Sequence, residues 1–157
     1  IAAFSGIDGL LLAVALGALL AGVPDAVGDR LGAIGRSLGI VFQMRDDLLG
    51  VFGATEETGK STSNDLREGK QTMLVAFARG TDAWAQAEPL FGQDGLDEAS
   101  AQRLREALER SGARERFEAE IRAERDAVRR LIGEAELPGR LSDLLAAEAE
   151  LAAERRV

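Results

Sequence analysis

Cysteine and histidine are both absent from the 157 residues, and proline occurs only three times. Without cysteine the chain has neither disulfides nor thiolate metal sites. Without histidine it lacks the usual neutral-pH base and the commonest transition-metal ligand. Any bound metal should therefore be a hard cation held by carboxylate oxygens. The scarcity of proline, with abundant Ala, Leu, Glu and Arg, favours helices.

Basic residues are in the minority, because 19 Lys and Arg stand against 27 Asp and Glu. The formal net charge of -8 argues against nucleic acid as a partner, since phosphate would be repelled. An anionic ligand would need local help from metal ions or from a few well-placed cations.

Long apolar runs are also rare, and Leu10–Val23 is the only one. It is shorter than the roughly 20 residues that span a bilayer, and no basic stretch precedes it as in a signal peptide. We therefore predict a buried core helix, no transmembrane segment and a cytoplasmic protein.

The pattern of apolar spacings and turn residues predicts one all-α partial domain over residues 1–157. A polar loop is expected from Gly50 to Lys70, because turn-forming residues dominate there. The expected helices are Asp8–Gly22, Pro24–Leu49, Thr72–Gly80, Asp82–Leu90, Leu96–Ser111, Ala113–Glu134 and Leu141–Arg155.

An acidic pair, Asp46-Asp47, stands near the C-terminal end of the second predicted helix. Helical spacing places Gln43, the acidic pair and position 50 on one face. The two carboxylates repel each other, and both lie at the negative end of the helix dipole. A divalent cation would offset the repulsion and the unfavourable dipole interaction. Acidic pairs are also common at helix ends, so the pair alone leaves a plain surface role open.

Two lysines, each preceded by glycine, follow the acidic pair in the predicted loop as Thr58-Gly59-Lys60 and Gly69-Lys70. A lysine ammonium is a compact partner for phosphate, and Mg²⁺ binds through one or two carboxylates plus substrate phosphates. Each lysine alone is typical of a solvated surface. The ordered set indicates a carboxylate–Mg²⁺–diphosphate site.

The segments FQMRDDLLGVFG, TGK and DLREGK, in this order between residues 35 and 70, resemble the second aspartate-rich region of the polyprenyl synthetase (trans-isoprenyl diphosphate synthase) family. The bacterial geranylgeranyl and farnesyl diphosphate synthases are especially similar. The resemblance implies the C-terminal half of the isoprenoid synthase helical bundle, usually a homodimer. It also implies a prenyltransferase that joins an allylic diphosphate to isopentenyl diphosphate head to tail.

The resemblance further implies roles for single residues. Asp46 would be the main Mg²⁺ ligand and Asp47 would support it. Gln43 and Lys60 would contact the allylic diphosphate, with Lys60 also stabilising the departing diphosphate. Lys70 would add a second positive charge beside the diphosphate, and Phe42 would lie at the isopentenyl site. Asp65 would help to shape the loop and would have no direct role.

Two departures from the family pattern bear on activity. Many members have a third aspartate where this chain has Gly50, and the first aspartate-rich motif of the N-terminal half is missing. We therefore expect the chain to be inactive without an N-terminal half, and to expose an apolar face where that half would pack. The alternatives are a non-catalytic helical module for dimerisation or regulation and, less favoured by the loop pattern, a terpene cyclase-like protein.

Overall fold

The computed structural model describes residues 6–53 and 63–154, in which all regular structure is helical, as predicted. In this part of the chain, none of the helices combines the length and hydropathy needed to cross a bilayer. The helices are α1 Gly6–Leu20, α2 Asp25–Phe52, α3 Asn64–Arg67, α4 Met73–Ala78, α5 Asp82–Ala87, α6 Glu98–Arg110, α7 Ala113–Glu134 and α8 Gly139–Glu154, with a 3₁₀ turn at Glu88–Leu90.

The described residues fall into two compact units. The first contains residues 6–45 and 121–154, and the second contains residues 46–53 and 63–120. The prediction of one partial domain over residues 1–157 stays a prediction.

In the first unit, α2 buries one face at the helical spacing that the sequence predicts. Its buried side chains are Leu31, Ile34, Leu38 and Val41. Two ion pairs join α7 to α8, because Arg129 Nη1 lies 2.7 Å and Arg125 Nη1 lies 3.4 Å from the Glu150 carboxylate. At this exposure such pairs contribute little to stability, so buried apolar area dominates.

Helix α1 departs from the expectation of a buried core helix. Ala18 is buried, but Leu16, Leu19 and Leu20 are exposed, Leu20 to 86%. The expectation of burial is wrong for these three leucines. The exposed leucines agree with the expected uncovered apolar face.

In the second unit, α6 packs against α3, α4 and α5. Its buried face consists of Ala101, Leu104, Ala107 and Leu108. The N-termini of α4 and α5 are capped, since Thr72 Oγ1 accepts from the Val75 amide and Thr81 Oγ1 from the Trp84 amide, both at 3.3 Å. These short helices are therefore fixed by packing and caps rather than by their length.

The structure differs from the sequence prediction in two features near the acidic pair, the end of α2 and an additional short helix. Helix α2 continues beyond Leu49 to Phe52, because Val51 is buried and the Arg114 guanidinium lies 4.4 Å from the centre of the Phe52 ring. A short helix, α3, also forms inside the predicted loop, where Leu66 is fully buried. Burial of single apolar side chains therefore overrides the polar composition of this region.

We expect Leu66→Ala to lower the free energy of unfolding by about 3 kcal/mol, because it removes a fully buried side chain and leaves a cavity. Urea denaturation followed by circular dichroism measures this loss. The same substitution at Leu151, which is exposed on α8, should cost less than about 1 kcal/mol. Equal losses in the two variants would show that Leu66 does not anchor α3.

Candidate functional site

The acidic pair lies one turn before the end of α2. Leu48 and Val51 are buried, whereas Asp46, Asp47 and Gly50 are half-buried. Because the apolar side chains fix the rotation of the helix, the carboxylates are held at the edge of the core and not in free solvent. The end of the helix carries no basic residue of its own, so compensation for the helix dipole must come from another segment.

That segment begins with α3 and ends at Lys70. Gly69 has a φ of +64°, a conformation that glycine adopts without a steric penalty. The Lys70 amide donates to the Asp65 carbonyl at 2.9 Å, and the Gly69 amide donates to the Leu66 carbonyl at 3.4 Å. This pair of bonds is a Schellman motif. It ends α3 and brings the Lys70 backbone next to Asp65.

The Lys70 ammonium lies between two carboxylates. Its Nζ donates to Asp47 Oδ1 at 2.8 Å and to Asp65 Oδ2 at 3.3 Å. The side chains of Asp47 and Asp65 are only 14% and 21% exposed, while that of Lys70 is 43% exposed. The ammonium therefore donates to two largely buried carboxylates, while the Lys70 side chain as a whole stays partly exposed.

The pKa of Lys70 is raised above its ordinary value. Partial burial acts to lower this pKa, but the hydrogen bond and charge of Asp47, together with those of Asp65, outweigh it. Because a raised lysine pKa favours the protonated form, Lys70 is a cation throughout the neutral range.

Asp65 is the residue that sequence reasoning missed, since it was given no direct role. Its carboxylate lies against Gly50, where an added Cβ would be 2.6 Å from Asp65 Oδ2. The position that holds a third aspartate in many family members thus has no side chain here, and a carboxylate from the next segment lies over it. The glycine itself was the available signal, because it leaves room at the end of α2.

The structure describes most, but not all, of the site residues that the sequence predicts. Asp47 and Lys70 are brought together, and Asp46 precedes Asp47 on α2. Phe42 and Gln43 are half-buried one turn earlier on the same helix. Lys60 and the preceding Thr58 and Gly59 lie outside the described residues.

For a metal ion, Asp46 and Asp47 offer adjacent hard oxygen donors, the ligand type that Mg²⁺ prefers. Mg²⁺ takes six ligands, so this pair would need oxygens from other sources, which diphosphate supplies in many enzymes. In residues 6–53 and 63–154, no group of three or more acidic side chains is arranged to hold a metal.

The sequence profile of the polyprenyl synthetase family matches residues 9–109, which include α2, α3, the acidic pair and Lys70. The chain belongs to the polyprenyl synthetase family. The resemblance seen in the DDLLG and EGK segments is thereby confirmed, and the match extends well beyond them.

Individual members are similar over parts of the chain. The (2E,6E)-farnesyl diphosphate synthase of Mycobacterium tuberculosis is 42% identical over 113 residues, which cover 68% of this chain and 32% of that protein. The geranylfarnesyl diphosphate synthase of Aeropyrum pernix is 47% identical over 66 residues, which cover 42% of this chain and 21% of that protein.

Solved structures confirm the fold. The polyprenyl synthase of Caulobacter crescentus, complexed with calcium and isoprenyl diphosphate, matches with a TM-score of 0.84 at 32% identity, over 96% of this chain and 47% of that one. The geranylgeranyl pyrophosphate synthase of Corynebacterium glutamicum, complexed with isoprenyl diphosphate and magnesium, gives 0.81 at 33% identity, over 90% and 41%. The chain thus spans about a third of the curated relative from M. tuberculosis and less than half of these structures.

The contact between Gly50 and Asp65 leads to a prediction. Gly28→Ala, where an added Cβ meets nothing within 4 Å, should raise the free energy of unfolding by up to about 1 kcal/mol, since alanine favours a helix. Gly50→Ala should gain less or lose stability, because its Cβ displaces the Asp65 carboxylate from Lys70. Urea denaturation measures both changes, and equal gains would contradict the close contact.

Proposed function

We propose that this chain is the part of a Mg²⁺-dependent prenyl diphosphate synthase that contains the second aspartate-rich motif. The reaction is the head-to-tail condensation of an allylic diphosphate with isopentenyl diphosphate. The observation that supports this most strongly is the Lys70 ammonium, held at 2.8 Å from Asp47 on a side chain that is 43% exposed. Carboxylates for a metal and a cation for phosphate stand side by side, within a chain of the right family.

Each residue then has a task at the allylic diphosphate. Asp46 is the main Mg²⁺ ligand, and Asp47, which already holds Lys70, supports the site directly or through water. Gln43 and Lys60 contact the diphosphate, and Lys70 adds charge beside it. Phe42, one turn before Asp46, lies at the isopentenyl site.

The chemistry that follows is electrostatic. Mg²⁺, when bound, neutralises charge that develops on the departing diphosphate. Lys60 and Lys70 stabilise the same charge, an effect that is strong where water is excluded. The allylic carbon loses its C–O bond electrons to the diphosphate, and the isopentenyl double bond attacks it. A proton then leaves to the released diphosphate, so no histidine is needed.

Condensation also requires an N-terminal half, because the first aspartate-rich motif belongs to that half in the family. The exposed leucines of α1 and α8 are in keeping with such a partner, since their burial against it would remove apolar surface from water. These leucines are Leu16, Leu19, Leu20, Leu144 and Leu151. Homodimerisation, which follows from the resemblance, and a cytoplasmic location, which follows from the sequence pattern, are further parts of this proposal.

Reconstitution tests the proposed function. The chain is mixed with the N-terminal half of its synthase, and condensation of isopentenyl diphosphate with a radiolabelled allylic diphosphate is assayed with Mg²⁺. We expect product from the mixture and none from either part alone. Folded parts that give no product together would favour the alternative, a non-catalytic helical module.

The two carboxylates of the acidic pair should differ in effect. Asp46→Ala should raise the Kd for inorganic pyrophosphate with Mg²⁺ by about tenfold or more, as expected for a lost charged contact. Asp47→Ala should weaken binding less, because it also frees Lys70 to follow the phosphate. Isothermal titration calorimetry with and without Mg²⁺ measures both. Asp29→Ala, at an exposed position of α2, is the control, and equal losses for Asp46 and Asp47 would contradict these roles.

A further inference from the structure

The segment that presents Lys70 also contacts a second part of the chain. Its partners there are Gly92 and Leu96, in the turn that precedes α6, and Glu98, the first residue of α6. None of these three residues belongs to the acidic motif or to the two Gly-Lys segments. Both the Lys70 segment and this turn lie in the second compact unit.

The closest approach joins two glycines. A Cβ added to Gly69 would be 3.0 Å from the Gly92 Cα, and one added to Gly92 would be 3.2 Å from the Gly69 Cα. Both glycines have positive φ, +64° and +73°. Because the atoms met are backbone atoms, a side chain at either position could be accommodated only by moving one segment away from the other.

Hydrogen bonds fix the same contact. The Gly92 amide donates to the Leu66 carbonyl at 2.9 Å, and Arg67 Nη2 donates to the Leu96 carbonyl at 3.3 Å. Ser63, which is buried, donates from Oγ to Glu98 Oε2 at 3.2 Å. Ser63 is the N-cap residue of α3, so the start of α3 is tied to the first residue of α6, and its last two residues are tied to the turn before α6.

We propose that Gly92 is a positioning residue for Lys70, and that the turn of Gly92 and Leu96, together with Glu98 at the start of α6, sets where the ammonium stands. The Schellman motif links Gly69 rigidly to Lys70, and the distance from Lys70 Nζ to Asp47 is already 2.8 Å. Movement of Gly69 away from Gly92 would therefore change the distances from Lys70 to both carboxylates. This inference rests on the proposed function only for the ligand that Lys70 serves, a diphosphate.

Gly92→Ala tests the proposal, with Gly112→Ala as its matched control. Gly112 has the same φ of +73° but meets nothing within 4 Å, so both variants share the backbone strain and only Gly92→Ala disturbs Gly69. The chain has two lysines, Lys60 and Lys70. Lysine-selective ¹⁵N labelling therefore gives two side-chain Nζ signals, and Lys70→Arg assigns them.

We expect Gly92→Ala to shift the Lys70 Nζ signal toward that of a free lysine, and Gly112→Ala to leave it in place. The Kd for pyrophosphate with Mg²⁺ should rise about tenfold in Gly92→Ala, the loss expected for one charged contact, and should change little in the control. Unchanged Lys70 signals in a folded Gly92→Ala variant would overturn the proposal. So would equal shifts in both variants.

Two further results separate this inference from the proposed function. If the wild-type chain binds no pyrophosphate with Mg²⁺, its diphosphate role fails, while the NMR comparison still decides whether Gly92 positions Lys70. If Gly92→Ala does not fold, Ser63→Ala replaces it, because it removes only the bond to Glu98. A smaller shift of the Lys70 signal in that variant supports the proposal, and an unchanged signal refutes it.

Discussion

The ion pairs of Lys70 with Asp47 and Asp65 determine how charge is arranged at the end of α2. They do not hold the fold together, because a pair as exposed as Lys70 contributes about 1 kcal/mol at most. The burial of Leu66 contributes more than that. Apolar packing therefore fixes the segments, and the ion pairs balance the carboxylates that packing brings together.

The contact of Asp65 with Gly50 places a carboxylate at the position where many family members have a third aspartate. Glycine at this position leaves space that the Asp65 carboxylate fills, and the same carboxylate binds Lys70. The negative charge near the end of α2 is thus partly supplied by another segment. A comparison of the motif position by position would show only that the third aspartate is absent, and it would not show the Asp65 carboxylate.

How well the sequence predicted the structure depended on the range of the interactions involved. Helix α7 was predicted with both ends correct, at Ala113 and Glu134, because amphipathic spacing is a local signal. The sequence placed Asp47 and Lys70 in one candidate site, but it did not predict the direct ion pair that joins them. By contrast, α3 depends on the burial of Leu66, and the role of Asp65 depends on its contact with Gly50, and both arise only in the fold. Such long-range contacts leave no periodic pattern in a single sequence.

The net charge of the chain explains why local geometry matters so much here. At -8, the net charge of the chain repels the diphosphate that we propose as its ligand. That repulsion is screened beyond about 8 Å at physiological salt, so capture depends on charges within a few ångströms. The Lys70 ammonium, which Asp47, Asp65 and a Schellman motif hold, can attract the ligand at such short range only if its position is well defined. The close approach of Gly69 to Gly92 gives the backbone under Lys70 that definition.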